Sequence, residues 1–463
     1  MRAWKLGAPI VAAIVLHLLF YRGFEVQTTP NYGDELAYRR VSTRPWSQIL
    51  TYYQPLVPAT LKGFHAAFGR EWLVRFAQFQ ESLFVLAALL AGWLVVRATD
   101  RAWAGAAAMV AVLADVRLGT YQYWALTEIL TLFLSLVACA ALVVHAMRTR
   151  WPAAAVAALA LALLVFLRSQ NLFVLASFLT VAAVLARGGR DWLRRAAPML
   201  AAGVVMLSWA GYKQYSGAQM YSQSGFSVYF VLMHHKGLLA RLPADDADLA
   251  AFRRSFAAYA GEPPTNDLET LSASDLALPT SLGGIWSPEF NRAVRKAYTH
   301  LLLHHPLDVL GTAARSFWTE QVSLFLPPYP EDANVDQASS GIRLARRLNR
   351  GLYSPIANVA TSVATFAGLL AALVHARRSR RRAPGAEANW TIEIVAVLGA
   401  WTVTDAVVTS LFFYPFWPPD ASRMRLHYEA QAIAVAIIGL ALLVERALRN
   451  RRSSKTSAAV PSA

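Results

Sequence analysis

Long apolar stretches, broken by short polar and arginine-rich joints, recur along most of the chain. A helix needs about 20 mostly apolar residues to cross a hydrocarbon core roughly 30 Å thick. By that measure the pattern predicts about ten membrane-crossing helices, over 6–22, 73–96, 102–119, 121–147, 152–167, 170–186, 196–213, 355–376, 390–414 and 427–445. The segment 152–167 is short for a crossing and could pair with 170–186 as one hairpin. The first stretch follows Met1-Arg-Ala-Trp-Lys5 like a signal peptide. The sequence Leu18-Leu-Phe-Tyr-Arg-Gly-Phe24 offers no small-residue cleavage site, so the stretch reads as an uncleaved anchor.

Two long segments interrupt the apolar pattern, 23–72 and 214–354. The second holds most of the acidic residues and Pro/Asp-rich loops such as Glu262-Pro-Pro-Thr-Asn-Asp267. Helical periodicity over 246–260 and 289–304 predicts a small, mostly helical domain there. The chain therefore divides into an N-terminal transmembrane module over 1–213 that includes the loop 23–72, an exoplasmic domain over 214–354, C-terminal transmembrane helices over 355–446 and a disordered tail over 447–463. The expected fold class is an all-α polytopic membrane protein.

Composition agrees with that class. Hydrophobic residues make up 56% of the 463 residues and charged residues 16%, against about 25% charged in soluble proteins. A chain this apolar is not a disordered one. Cys139, the single cysteine, excludes a disulfide framework and a cysteine zinc site.

The net charge of +16, from 44 Lys+Arg against 28 Asp+Glu, is mostly a topology signal. Every second short connection is basic: Arg2 and Lys5; Arg97 and Arg101; Arg148 and Arg150; Arg187, Arg190, Arg194 and Arg195; Arg377 to Arg382; Arg446 to Lys455. The positive-inside bias puts these joints, and both termini, on the cytoplasmic side. Charges that flank spans, without aromatics interleaved on one face, give no sign of nucleic-acid binding.

The chemistry-bearing residues fall on the opposite side. The first outside loop opens with Asn31-Tyr-Gly-Asp-Glu-Leu-Ala-Tyr38, where Asp34 and Glu35 form an acid pair just beyond the membrane and Tyr38 lies one helical turn on. A capped surface helix is the plainer alternative. Two amphipathic stretches flank Gln54-Pro55 and suit interfacial helices, on which Lys62 and His65 could face a lipid phosphate.

Charges within spans cost about 2.5–3.5 kcal/mol each on insertion scales and are functional candidates by default. They are Glu81, Glu128, Arg168, Glu393 and Asp405, with Glu128 about two turns below the outer surface. Interhelical hydrogen bonding is the competing reading for each. The last outside loop ends in Asp420-Ala-Ser-Arg-Met-Arg-Leu-His-Tyr-Glu429. Arg423 and Arg425, beside His427 and Tyr428, stand against the positive-inside bias, and a bound phosphate is one reason to hold them there. Pairing with Asp420, Glu429 or lipid headgroups is the other.

In their order these motifs resemble the GT-C-type integral membrane glycosyltransferases, in particular the bacterial group of lipid A aminoarabinose transferases and protein O-mannosyltransferases. The resemblance covers most of the chain. Its elements are Asp34-Glu35-Leu36-Ala37-Tyr38, the turn from Gln54-Pro55-Leu56 to Phe68-Gly69, Arg75, Thr127-Glu128, Arg168, Ser208-Trp209, His305-Pro306 and the Arg-x-Arg-x-His-Tyr stretch 423–428.

The resemblance implies a polyprenyl-phosphate sugar as donor and a glycan, lipid or protein hydroxyl as acceptor, at the periplasmic face of a bacterial inner membrane. It implies Asp34 as general base for an inverting transfer, Glu35 and Glu128 as its supporting acids, and Tyr38 and Gln54 as positioning groups. Arg423, Arg425, His427, Tyr428, Arg168 and Lys62 would meet the donor phosphate. The aminoarabinose enzymes carry an acid-Lys-Pro at the interfacial turn where this chain has Tyr53-Gln54-Pro55, which sets that particular reaction in doubt. The motifs specify no cofactor and leave a divalent metal open, since Asp34 and Glu35 alone do not complete a site.

Two other classes compete. A flippase for lipid-linked sugars predicts internal repeats with matching broken spans, and none are evident. An O-antigen-type polymerase or ligase would use outside arginines without an acid pair heading the first loop.

Overall fold

The computed structural model describes residues 4–21, 26, 33–52, 54–168, 171–216, 236–246, 249–250, 253, 288–322, 343–344, 347–348, 350–351, 354–382, 389–412 and 425–457. For 4–7, 33–34, 214, 236, 288–291, 320–322, 379–382 and 451–457 only the backbone is described. The chain is a nearly all-helical, multi-pass membrane protein. Its first half runs α1 (Trp4–Tyr21), α2 (Gly33–Ser42), α3 (Trp46–Thr51), α4 (Leu56–Phe68), α5 (Trp72–Thr99), α6 (Ala102–Leu113), α7 (Val116–Thr120), α8 (Glu128–Arg148), α9 (Trp151–Leu167), α10 (Leu172–Leu185) and α11 (Gly189–Tyr215). After it come α12 (Lys236–Ala240), α13 (Pro288–His304), α14 (Pro306–Val322), α15 (Pro355–Arg382), α16 (Trp390–Phe412) and α17 (Glu429–Ser457).

Among the described residues five helical stretches are long and apolar enough to cross a membrane: Leu56–Thr99, Glu128–Arg148, Pro355–Arg378, Trp390–Phe412 and Glu429–Asn450. The α6–α7 pair makes a sixth if it is one span, bent by 53°. Ala8–Tyr21, α9 and α10 are shorter apolar helices. Helices α8 and α16 lie at the centre, buried over most of their length, whereas α15 is largely exposed at the periphery. Small residues let α5 and α6 touch: a Cβ on Gly105 would sit 2.7 Å from the Gly92 carbonyl oxygen, the close backbone approach typical of helices in lipid.

Several boundaries differ from those read in the sequence, each for a local reason. The apolar run 102–119 breaks at 114–115, where Asp115 caps α7 by accepting from the Arg117 and Leu118 N–H groups. Tyr21 at the end of α1 donates to the Leu113 and Asp115 carbonyls that the break leaves open (2.9 and 3.1 Å). Helix α8 starts at Glu128 rather than 121, because Tyr121–Tyr123 form a 3₁₀ turn and 124–127 a bend.

Helices α9 and α10 do not form a hairpin: α9 rests on α8 and α11, and α10 on α16 and α11. Helix α17 continues to Ser457, into the stretch expected to be a disordered tail. An exposed Arg449–Glu445 pair one turn apart supports that extension (2.6 Å). Helix α13 matches the periodicity at 289–304, and its Tyr298 hydroxyl donates to the Leu411 carbonyl at the end of α16 (2.5 Å). The pattern at 246–260, and most of 214–354, lies outside the described residues.

Candidate functional site

The first loop folds as three short helices: α4 packs against α5, and α2 and α3 pack against α4. Helix α2 turns its Glu35 and Tyr38 inward, one helical turn apart, and both are buried. The Tyr38 hydroxyl donates to Gln54 Oε1 at the turn between α3 and α4, and its ring meets Tyr52 edge-on with centroids 6.4 Å apart. Glu35 Oε1 accepts from Arg39 and from the backbone N–H of Ala125 (3.2 Å). One carboxylate thus ties the loop helix to the bend that leads into α8. Asp34 lies in the first turn of α2, with its side chain outside the described residues.

Lys62 is elsewhere. It donates to the Arg44 carbonyl (2.8 Å) and sits 5.7 Å over the Trp46 ring, where α4 meets α3.

Beyond Ala125 the bend delivers Thr127 and Glu128. The expectation that Glu128 lies two turns inside a span is corrected: it is the first residue of α8, where a carboxylate complements the helix dipole. Arg168, in extended conformation at the break between α9 and α10, reaches this point. Its Nη2 donates to Glu128 Oε1 (3.1 Å) and to Thr127 Oγ1 (2.7 Å), and its Nε also donates to Thr127 Oγ1 (3.1 Å). Arg168 Nη1 lies 3.4 Å from His427 Nδ1, and that same nitrogen lies 3.8 Å from Asp405 Oδ2 on α16. Trp401, one turn before Asp405, donates its indole N–H to the His427 carbonyl (3.0 Å) and fixes the segment before α17. Four elements far apart in sequence therefore converge on Glu128, Arg168, His427 and Asp405, all buried.

Arg425, expected to meet a phosphate, points another way, into a set of protein acceptors. It is 1% exposed. Nε donates to Glu429 Oε1 (2.9 Å), Nη1 to the Ser362 hydroxyl (3.1 Å), and Nη2 to the Thr361 hydroxyl (2.9 Å) and the Asn358 carbonyl (3.3 Å). Arg117 donates to the other Glu429 oxygen and pairs with Asp115 (3.2 Å). The result is an alternating buried chain, Asp115–Arg117–Glu429–Arg425, that joins the α6–α7 break to α17 and α15. Tyr428, fully buried with Arg425 5.8 Å over its ring, belongs to this strut. Arg423 lies outside the described residues.

The sequence pointed to Glu35, Tyr38, Gln54, Glu128, Arg168 and His427, and the fold brings them to one end of the bundle. It did not single out Arg117, whose signal was available as an arginine in a joint otherwise nearly free of basic residues. Nor did it pair Asp405 with His427, 22 residues apart. On the arginine-rich side, Glu393 is accounted for by Arg195 (2.8 Å), which also bonds Asp191 (3.1 Å). Among the described residues, no three His, Cys, Asp or Glu side chains are grouped to hold a metal ion.

A shallow groove of about 580 Å³ opens between α14 and α15, lined by Phe317, Trp318, Val363, Phe366, Leu370 and Ser362. Ser362 is the residue that accepts from Arg425, so the groove runs along the outside of the strut.

No protein-family model and no curated protein sequence matches the chain. Among solved structures, the oligosaccharyltransferase AglB from Archaeoglobus fulgidus, in complex with an inhibitory peptide and a dolichol-phosphate, is similar at 14% identity and a TM-score of 0.46, over 100% of this chain and 53% of that one. The apo form of the oligosaccharyltransferase from the same organism gives the same values. ArnT from Cupriavidus metallidurans, in the apo state, is similar at 15% identity and a TM-score of 0.33, over 89% of this chain and 78% of that one. The chain spans about half the length of the oligosaccharyltransferase chains.

Proposed function

We propose that the protein is a glycosyltransferase of the bacterial inner membrane that moves a sugar from a polyprenyl-phosphate donor to a hydroxyl acceptor at the periplasmic face. Both termini are cytoplasmic, and the shorter apolar helices α1, α9 and α10 cross the membrane together with the long ones.

The observation that carries this reading is the link from Glu35 through Ala125 to Glu128 and Arg168. It couples the acid-bearing loop helix to a buried cation at the same end of the bundle. An inverting transfer needs a base on one side of the anomeric carbon and a cation on the other.

Asp34, next to the anchored Glu35, takes the acceptor proton as the hydroxyl oxygen bonds to the anomeric carbon. The bond from that carbon to the phosphate oxygen breaks, and the departing polyprenyl phosphate gains a negative charge. Arg168 and His427, with Arg423 on the same loop, stabilise it. A guanidinium already in place costs no reorganisation at that moment. The apolar groove beside α15 suits the isoprenoid chain. Glu35, Tyr38 and Gln54 hold α2 in place, so their contribution is positional.

The test is sugar transfer by the protein reconstituted with a polyprenyl-phosphate sugar. Asp34→Asn should lower the rate by about 10²–10⁴, the usual span for a general base, while donor binding persists. Wild-type turnover in that variant overturns the reading.

A further inference from the structure

Asp405 is not used by the reaction just described, yet it is a buried carboxyl group within α16, which with α8 is the most buried of the candidate spans among the described residues. Such a group is costly in lipid unless it is paired or protonated. Its Oδ2 is buried and makes no hydrogen bond among the described residues. The nearest ionisable atom is His427 Nδ1, at 3.8 Å. That nitrogen also faces Arg168 Nη1 at 3.4 Å.

The two neighbours ask for opposite things. An arginine N–H always donates, so a bond from Arg168 requires a lone pair on Nδ1. A carboxylate only accepts, so a bond to ionised Asp405 requires a hydrogen there. Nδ1 satisfies one neighbour at a time. With Arg168 donating, the ring is neutral; the one cation nearby, Arg168, is already paired with Glu128, so Asp405 avoids a second buried carboxylate charge by keeping a proton. With Arg168 turned away, Nδ1 carries the proton and forms an imidazolium–carboxylate pair with Asp405.

We propose that Asp405 and His427 share one proton, which rests on Asp405 while Arg168 contacts Nδ1 and passes to Nδ1 when Arg168 turns to a phosphate. The O–H bond at Asp405 breaks as the N–H bond at His427 forms, and no other group gains or loses a proton. The transfer leaves the net charge of the buried site unchanged but places a second cation beside the phosphate as charge develops on it. Asp405 is then a positioning residue that acts through His427. The sharing of the proton stands without the functional reading above; the response to phosphate rests on it.

The other ionisable groups on elements packed against α16 are engaged or distant. Glu128 on α8 is paired with Arg168, and Glu429 at the head of α17 is held by Arg117 and Arg425. Glu81 on α5 bonds Tyr123. On α14, Asp308 pairs with Arg241, and Arg315 is exposed. Helix α10 carries no ionisable residue, and His375 of α15, like Glu393 of α16 itself, lies at the arginine-rich end.

The experiment is infrared spectroscopy of the full-length protein in lipid nanodiscs near neutral pH. It reads the carbonyl stretch of protonated carboxyl groups in wild type, Asp405→Asn and His427→Gln, before and after adding polyprenyl phosphate. The expected result is a protonated-carboxyl band that is lost in Asp405→Asn. On addition of polyprenyl phosphate the band weakens in wild type and persists in His427→Gln. If wild type and Asp405→Asn have the same spectrum, there is no proton on Asp405 and the proposal is overturned, whatever the protein's transfer activity. If the band is present and polyprenyl phosphate binds without changing it, the passage to His427 is overturned. If the band is present and polyprenyl phosphate does not bind, the shared proton is supported and it is the proposed function that fails.

Discussion

Two buried ionic clusters stand close together at one end of this bundle, and they are built on opposite plans. The strut alternates acid and base, Asp115, Arg117, Glu429 and Arg425, so that its two carboxylates and two guanidinium groups balance. Arg425 has four named bonds to acceptors on two elements, α15 and α17. The second cluster sets Glu128 and Asp405 against Arg168 and a histidine, and the contact from Arg168 to that histidine is long. Saturated buried charge fixes geometry. A buried guanidinium with a loose, replaceable contact can exchange that contact for a ligand. The comparison separates two arginines that the sequence offered as equals: Arg425 holds helices together, and Arg168 is the cation that the proposed function assigns to the donor phosphate.

Removing one side of each cluster should break this comparison in opposite directions. Arg425→Ala strips Glu429 of a buried partner, and such losses cost about 3–5 kcal/mol. The reconstituted protein should lose much of its thermal stability. A melting temperature within a degree or two of wild type would mean that the strut is ornamental. Arg168→Gln also takes the cation from buried Glu128, but the amide can still donate to Glu128 and Thr127, so it should melt closer to wild type than Arg425→Ala does, which removes four bonds to α15 and α17. It should lose about 10²–10³ in transfer rate, the usual cost of removing one donor to a developing oxyanion. If the two variants changed places in these assays, the assignment of roles would be inverted.

A smaller effect tests the loop. Tyr38→Phe removes one buried hydrogen bond to Gln54, worth about 1 kcal/mol. It should raise protease sensitivity between α2 and α4 while leaving the affinity for polyprenyl phosphate unchanged.

The smallest effect lies at the other end of the molecule. Partial burial alone would push the Asp191 carboxyl up. The Arg187 backbone N–H and the guanidinium groups of Arg195 and Arg194 outweigh burial and hold it below the ordinary carboxylate value. A carboxyl group lowered in the folded state stabilises above its unfolded pKa, and that stability is lost as pH falls through the folded pKa. Asp191→Asn should therefore melt slightly lower than wild type near neutral pH, and the difference should vanish as acid protonates Asp191. A constant difference across that range would show that the carboxylate charge is not involved.

Much of the frame was legible because a helix in lipid must be long and apolar. Helices α5, α8, α15, α16 and α17 stand close to where the hydropathy put them. The joints were harder. A break at Asp115 depends on a side chain turning back to cap its own backbone, and the start of α8 depends on a 3₁₀ turn inside an apolar run. Neither alters the average hydropathy that marks a span.

Within the site, residue type and spacing marked the acid pair Asp34 and Glu35 with Tyr38 a helical turn on, and charge within apolar runs marked Glu128 and Arg168. Whether a given arginine is spent or available was not legible. Arg425 has its acceptors on α15, more than sixty residues earlier in the chain, and Asp405 meets His427 only because α16 and α17 pack together. The charge of a residue is written in the sequence, but the partners that saturate it are set by the fold.

The most direct test of the account is the affinity of the reconstituted protein for polyprenyl phosphate before and after Arg168→Gln. Loss of one charge-assisted hydrogen bond, about 1.5–3 kcal/mol, predicts binding weaker by roughly 10- to 150-fold with the helical fold intact. Unchanged affinity in a folded Arg168→Gln protein would contradict the claim that this cluster is where the donor phosphate is held.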